Sequence, residues 1–284
     1  MHIDQPQRPV LIVDGDNLAH RAYHSTPKTV TGKDGQAINA VVGFFGMLLR
    51  IWAEENPRGI FVAWDTLGVD TYRNKLWPPY QGGRIFDKEI VQQLDLLPPL
   101  CQACGLGVGK CAGFEADDIM AAATIEESAS GGTCLLLTTD RDAYQLVSES
   151  ITVLSPKRGT RELARITPHE VVHYFGVLPE QVPDFKALSG DSSDSIPGIK
   201  GVGPKSAAAL LLRHGTLEGV LAAWGRPAEA ERALMFREVA RMRPEVPVAL
   251  PTGPPDWGAG AERLRLLGAD SLADRLSDFS TQTP

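Results

Sequence analysis

The chain predicts an α/β fold, a doubly wound and mostly parallel sheet, followed by a smaller helical region. Three observations carry that reading. Short apolar runs at residues 10–13, 60–64 and 134–137 each stop at an aspartate: Asp14, Asp65, and Asp140 after two threonines. Short branched runs bounded by turn residues read as strands buried on both faces. Strand and helix patterns alternate as far as the run ITVLS, the rhythm of βαβ units, and after Thr167 the apolar spacing turns helical.

Each element follows in order. The strand VLIVD precedes a helix over about residues 37–52, where Val41, Phe44, Phe45, Leu48 and Leu49 share helical spacing. The strand IFVAWD leads into an irregular stretch, 66–83, which holds Arg73, Lys75, Trp77, Pro78, Pro79 and Tyr80. A helix over about 87–104 carries Ile90, Leu94, Leu97 and Leu100, with Pro98 and Pro99 expected to kink or split it. The segment GLGVGK at 105–110 lacks the spacing of a phosphate loop and reads as a helix stop and strand entry. TCLLLTTD and ITVLS supply further strands, so the α/β part spans 1–166 and the helical region 167–284. Within the latter, Thr167 caps TPHEVVHYFG, QVPDFKALSG follows, and Gly215 stops PKSAAALLLRHG. The Pro- and Gly-rich stretch 243–260 is expected to wrap over the surface, and residues beyond Phe279 to fray.

Composition narrows the class. The formal charge of −7 becomes +2 once nine clustered carboxylates are set aside as suspected metal ligands, so a nucleic-acid partner stays open. Cys101, Cys104, Cys111 and Cys134 form neither a secreted disulfide framework nor a completed zinc site. They read as packing residues in a reducing cytoplasm. The start MHIDQPQRPV lacks the blocks of a signal peptide, and no apolar run approaches the ~20 residues of a membrane helix, so a soluble cytoplasmic protein is expected.

The nine carboxylates are Asp14, Asp65, Glu115, Asp117, Asp118, Asp140, Asp142, Asp191 and Asp194. The strand-end aspartates converge on one rim of a parallel sheet, where open α/β sheets bind ligands. Two unit charges ~4 Å apart repel by about 4 kcal/mol at an effective dielectric of ~20, so the cluster demands a cation. Hard oxygen donors favour Mg²⁺ or Mn²⁺ over zinc, and so many suggest two or more ions, an arrangement suited to phosphoryl transfer. Helix capping explains one acid of GFEADD, hardly three, and Asp140 is an N-cap candidate as well as a ligand.

The segment GDSSDSIPGIKGVGPKSAAALL is the most specific. Gly198, Gly201 and Gly203 lead into a helix with Lys205 in its first turn, and Lys200 stands between them. Glycines permit a tight hairpin and close approach of a phosphate, while the helix N-terminus favours an anion. Such a device grips a backbone without reading bases.

Taken together, LIVDGDNLAHRAYH, FVAWDTLG, GFEADD, TTDRDAYQLV and GDSSDSIPGIKGVGPKSA resemble the successive motifs of the 5′-nuclease domain of bacterial DNA polymerase I, in order from about residue 10 to 215. The resemblance is to a free-standing 5′-3′ exonuclease and flap endonuclease with a PIN-like nuclease domain, and it implies metal ligation by all nine acids, directly or through water. It implies phosphate contacts near the scissile bond from Arg21 and Arg73, an arch over the flap at about 66–90, and a helix-hairpin-helix at about 185–215. In that hairpin Gly198, Lys200, Gly201, Gly203, Lys205 and Ser206 grip the duplex, with a K⁺ ion on its carbonyls. It further implies in-line hydrolysis that leaves 5′-phosphates on DNA with 5′ flaps, nicks or free 5′ ends, extending to RNA-primed ends. The setting is replication and repair alongside a separate polymerase and ligase, and the protein is expected to act as a monomer.

Two positions depart from the family pattern. Gln81 stands where the family has a catalytic Lys, and a neutral amide stabilises developing charge less well, so Arg73, Arg84 or Lys75 is expected to supply it. Asp16 replaces a small polar residue and adds a tenth candidate ligand. Gly82 and Gly83 disfavour helix, so the arch is expected to need DNA for its order. The rival readings are a DNA-binding paralogue with weak or lost chemistry, and a phosphatase of small phosphoesters suggested by Asp14 and Asp16 as DGD. The complete acid set disfavours the first, and the hairpin the second.

Overall fold

A computed structural model describes residues 8–82, 87–157, 162–225 and 227–282. The sheet has six strands in the order β3-β2-β1-β4-β5-β6: β1 Val10–Asp14, β2 Gly59–Trp64, β3 Gly107–Lys110, β4 Cys134–Leu137, β5 Ile151–Pro156 and β6 Leu163–Ile166. All pairings are parallel except β5 with β6. The chain builds outward from β1 to β3 on one side, then returns to start β4 on the other. The strand order therefore reverses between β1 and β4, which is where an open sheet of this kind opens its ligand crevice.

Alternation along β1 splits the core into two layers. Val10 and Ile12 face one side with Phe61, Ile119 and Leu136, while Leu11 and Val13 face the other with Phe44, Val62 and Leu137. Helices α1 Gly15–Ser25, α2 Asn39–Glu55 and α4 Lys88–Ala103 cover the second face. Helix α5 Ala116–Ala129 covers the first, and the short α3 Tyr72–Leu76 begins the connection from β2 to β3. Phe44, Phe45, Leu48 and Leu49 are fully buried, each contributing on the order of 2 kcal/mol or more.

The helical region runs α6 Pro168–Phe175, α7 Val182–Ser189, α8 Pro204–His214, α9 Leu217–Trp224 and α10 Pro227–Ala240, then α11 Trp257–Leu267 and α12 Asp270–Gln282. Thr167 and Glu170 form the expected capping box, and Gly215 at φ +79 ends α8.

Several expectations are corrected. Helix α4 runs through Pro98 and Pro99 without splitting, because Ile90, Leu94, Leu97 and Cys101 anchor its buried face on both sides of them. Strand β6 is an addition, an antiparallel edge too short to declare itself. Helix α12 continues past Phe279 to Gln282. The last two helices do not stay with the helical region: Trp257, Ala261, Leu264, Leu272 and Leu276 join the core beneath α2 and α4. The stretch before them does run without helix or strand, and it crosses the starts of β2 and β3, where Arg58 donates to the Pro251 carbonyl at 2.8 Å.

Candidate metal centre

Asp14 ends β1 and caps α1. One oxygen accepts from the Asn17 amide at 3.0 Å, the other from the Thr138 hydroxyl at 2.8 Å, so the two strands flanking the crevice are joined through this carboxylate. Asp16 accepts from the Asp65 amide at 2.7 Å, and Asp65 accepts from the Ala116 amide at 2.7 Å at the start of α5. Glu115 accepts from the Tyr80 hydroxyl at 2.9 Å. With Asp117 and Asp140 these side chains line a cleft of about 260 Å³, joined there by Asn17, His20 and Gln81.

The electrostatics match the crowding. Burial, with the Asp65 and Asp140 charges adding to it, pushes Asp14 up to about 7 despite its two hydrogen bonds. Burial and the Asp65 charge raise Asp16, and burial followed by the Asp140, Asp14 and Asp142 charges raises Asp117. Asp140 is exposed at the cleft mouth, yet enclosure by its neighbours and then the Asp142 charge push it up to about 6. Burial also raises Glu115, although Arg73 pulls the other way. A divalent cation would relieve all of these at once.

A second group adjoins the first. Asp142, Asp191 and Asp194 each present an oxygen within 4.8 Å of the others, and they are the three carboxylates among the described residues that converge this tightly. Opposite oxygens around a six-coordinate Mg²⁺ lie about 4 Å apart, so a small contraction would seat an ion. Asp142 reaches the first group through its amide, which donates to Asp140 at 2.9 Å. Burial and the Asp142 charge push Asp194 up to about 7. Asp191 moves the other way: burial opposes it, but the Lys186 ammonium and Ser193 hydrogen bonds hold it below its usual value. The donor set is hard oxygen throughout, which suits Mg²⁺ or Mn²⁺.

The structure departs from expectation at Asp118 and Arg73. Successive helical residues point about 100° apart, so Asp117 and Asp118 at the start of α5 cannot both face the cleft. Asp118 is fully buried and accepts from Arg73 at 2.7 and 2.8 Å, the Tyr72 hydroxyl at 3.1 Å, and the amides of Arg243 and Glu115 at 2.7 and 3.0 Å. Arg73, 2% exposed, also donates to the Val239 carbonyl at 3.1 Å, so it holds Asp118 and α10 rather than facing a phosphate. Arg21 stands on the rim, donating to the Lys157 carbonyl just beyond β5 at 2.7 Å. Arg84 lies outside the described residues, as does Gly83.

Gln81 sits where the two groups meet, at φ +48, with its amide donating to the Tyr80 hydroxyl at 2.8 Å and to Asp194 at 3.3 Å. The arch base is tied to the hairpin loop, since the Trp77 indole donates to the Ser195 carbonyl at 2.8 Å. That loop joins α7 to α8. A Cβ on Gly198 would collide with the Gly190 backbone, and φ values of +67 and +85 at Gly198 and Gly201 require the missing side chain. Lys200, Gly201, Gly203, Lys205 and Ser206 are exposed, and Gly198 is buried under them. Sequence reading missed Asn17, Thr138 and Lys186. Asn17 was findable, three residues after a strand-end aspartate at cap spacing, whereas Lys186 carried no signal.

By fold the molecule resembles the PIN-like 5′ nucleases, with a SAM-like helical region. Its fold matches that of the D15 protein of bacteriophage T5 crystallised with metal ions, at TM-score 0.66 and 20% identity over 97% of this chain and 99% of that one. It also matches flap endonuclease-1 from Methanococcus jannaschii, at TM-score 0.62 and 16% identity over 97% and 94%. In sequence, residues 9–176 match the 5′-3′ exonuclease N-terminal resolvase-like domain and residues 177–255 its C-terminal SAM fold. The chain belongs to the 5′-3′ exonuclease family. It is 37% identical to DNA polymerase I of Mycobacterium tuberculosis over 87% of its length, and 35% identical to that of Bacillus caldotenax over 86%. It spans under a third of those relatives, 28% and 29% of their length. Among the described residues, no helix is long and apolar enough to cross a membrane.

Proposed function

We propose that this chain is a divalent-metal-dependent 5′-3′ exonuclease and flap endonuclease acting on DNA. The observation that carries it is the joining of two carboxylate groups through Asp140 and Asp142 at the strand-order reversal, beside a glycine hairpin. Asp14, Asp16, Asp65, Glu115, Asp117 and Asp140 would hold one ion, and Asp142, Asp191 and Asp194 a second, Mg²⁺ or Mn²⁺ in each. Ions held there would supply an activated water for in-line attack on the phosphodiester and charge to neutralise the leaving oxygen, giving a 5′-phosphate product.

The protein's own residues do the rest. Asp118 and Arg73 fix the start of α5 and so aim Glu115 and Asp117. Tyr80 orients Glu115, and Gln81 bridges Tyr80 to Asp194. Lys200, Lys205 and the exposed amides at the start of α8 would grip the duplex backbone without reading sequence, with K⁺ on the hairpin carbonyls. Arg21 and Arg84 would contact phosphates near the cut. Substrates would be 5′ flaps, nicks, free 5′ ends and RNA-primed ends, during replication and repair in the cytoplasm, with a separate polymerase and ligase and the chain acting as a monomer.

Gln81 in place of a Lys favours one second reading, a DNA-binding paralogue that cleaves weakly. The test uses a flapped duplex labelled at each strand end in turn, with Mg²⁺, Mn²⁺ or EDTA, beside an Asp117→Ala protein. Metal-dependent cuts at the flap junction and 5′ end that vanish in the variant support the nuclease. Tight binding with no cut supports the paralogue.

A further inference from the structure

Lys186 projects from α7 into the second acid group with its side chain 5% exposed. Its ammonium pairs with Asp142 Oδ1, and with Asp191 Oδ2 at 2.5 Å. The other oxygen of Asp191 accepts from the amide and the hydroxyl of Ser193. Both oxygens of Asp191 are therefore engaged, and although Oδ2 keeps a lone pair, an ion bridging Asp142 and Asp191 would have to share the oxygens that face the Lys186 ammonium. Ser193 is held by the chain two residues on. Lys186 instead borders a cleft of about 580 Å³ alongside Asn17, Arg141 and Tyr174, which gives its flexible stem somewhere to go.

We propose that Lys186 is a built-in stand-in cation for the second acid group: its ammonium competes with a divalent ion for Asp142 and Asp191. Moving the ammonium aside favours loading of that ion. The inference rests on the metal-dependent reading above. It adds that the second group is made weak for metal by a residue of the protein, and that the same residue keeps α7 and the Asp191–Asp194 loop together when divalent ions are scarce. A buried lysine in a purely structural ion pair would make the opposite prediction, since removing it would loosen the three aspartates and weaken metal binding.

The experiment is calorimetric titration of the DNA-free full chain with Mn²⁺ for the wild type, Lys186→Met and Lys186→Arg, with melting temperatures in EDTA at pH 8 and in saturating Mn²⁺. Lys186→Met is expected to bind the weaker ion about tenfold more tightly or better, as befits removal of one close, partly screened charge contact. It should also melt below the wild type in EDTA and gain more from Mn²⁺. Lys186→Arg keeps the charge and should hold the weaker ion within about threefold of the wild type. Equal or weaker second-ion binding in Lys186→Met overturns the inference while leaving the metal-dependent reading intact. Failure of every protein to bind Mn²⁺ overturns both.

Discussion

The guanidinium of Arg73 and the carboxylate of Asp118 meet as a two-bond pair at 2.7 and 2.8 Å, sealed between α3, α5 and the end of α10. Asp117, its neighbour in sequence, faces the acid cleft. One turn of helix thus carries an acid buried against Arg73 and an acid lining the cleft, and the two should respond oppositely to substitution.

Asp118→Ala should lose about 3–5 kcal/mol of stability, because it removes the nearest carboxylate from a buried guanidinium and an acceptor from three other donors. Asp117→Ala removes a crowded like charge and should melt at or above the wild type in EDTA while abolishing metal-dependent cleavage. Calorimetry and a flap assay on both variants check this, and equal destabilisation of the two would refute the division.

Stability without metal should fall as pH rises. Asp14 and Asp194 are raised to about 7 and Asp140 to about 6, from an ordinary 3.8. A carboxyl raised in the folded state binds its proton more tightly than in the unfolded chain. Its contribution is complete below pH 4 and is lost as pH climbs through about 6 to 7. Melting in EDTA from pH 5 to 8 should show a steady decline that saturating Mg²⁺ flattens; a rise over this range would contradict the buried cluster.

Arg73 is committed to Asp118, so it cannot replace the ammonium missing at Gln81. Gln81→Lys places a cation within reach of Asp194 and Tyr80, and single-turnover cleavage should speed up by about tenfold or more. An unchanged rate would mean that Gln81 does not limit the chemistry.

Lys205→Ala should weaken duplex binding for every sequence tested and reduce the slope of log affinity against log salt by about one unit, the signature of one lost phosphate contact. Measurement between 50 and 200 mM salt (order-of-magnitude window) suffices, and an unaltered slope removes Lys205 from the backbone grip.

Much of this was legible along the chain because it is local. Apolar runs of four or five residues ending on aspartate specify parallel strands and place their acids on one rim, and the glycines of the hairpin specify a tight turn that other residues rarely make. The cleft acids Asp14, Asp65 and Asp140 follow from the first of those facts, and Glu115 and Asp117 from the acid cluster GFEADD ahead of an alanine-rich run. What the tertiary structure alone decided concerns partners far apart in sequence. Asp117 and Asp118 are equivalent on paper, and only α10 and Arg73 closing over one side of α5 separate the acid that lines the cleft from the one that is buried. Helices α11 and α12 look like a continuation of the helical region, but periodicity reports that a face is buried and not against what. Lys186 has no motif, since its meaning lies in meeting Asp142, 44 positions away. Backbone preference and apolar period act over a few residues, whereas charge pairing and burial act through space, and the chain records the first directly and the second only once folded.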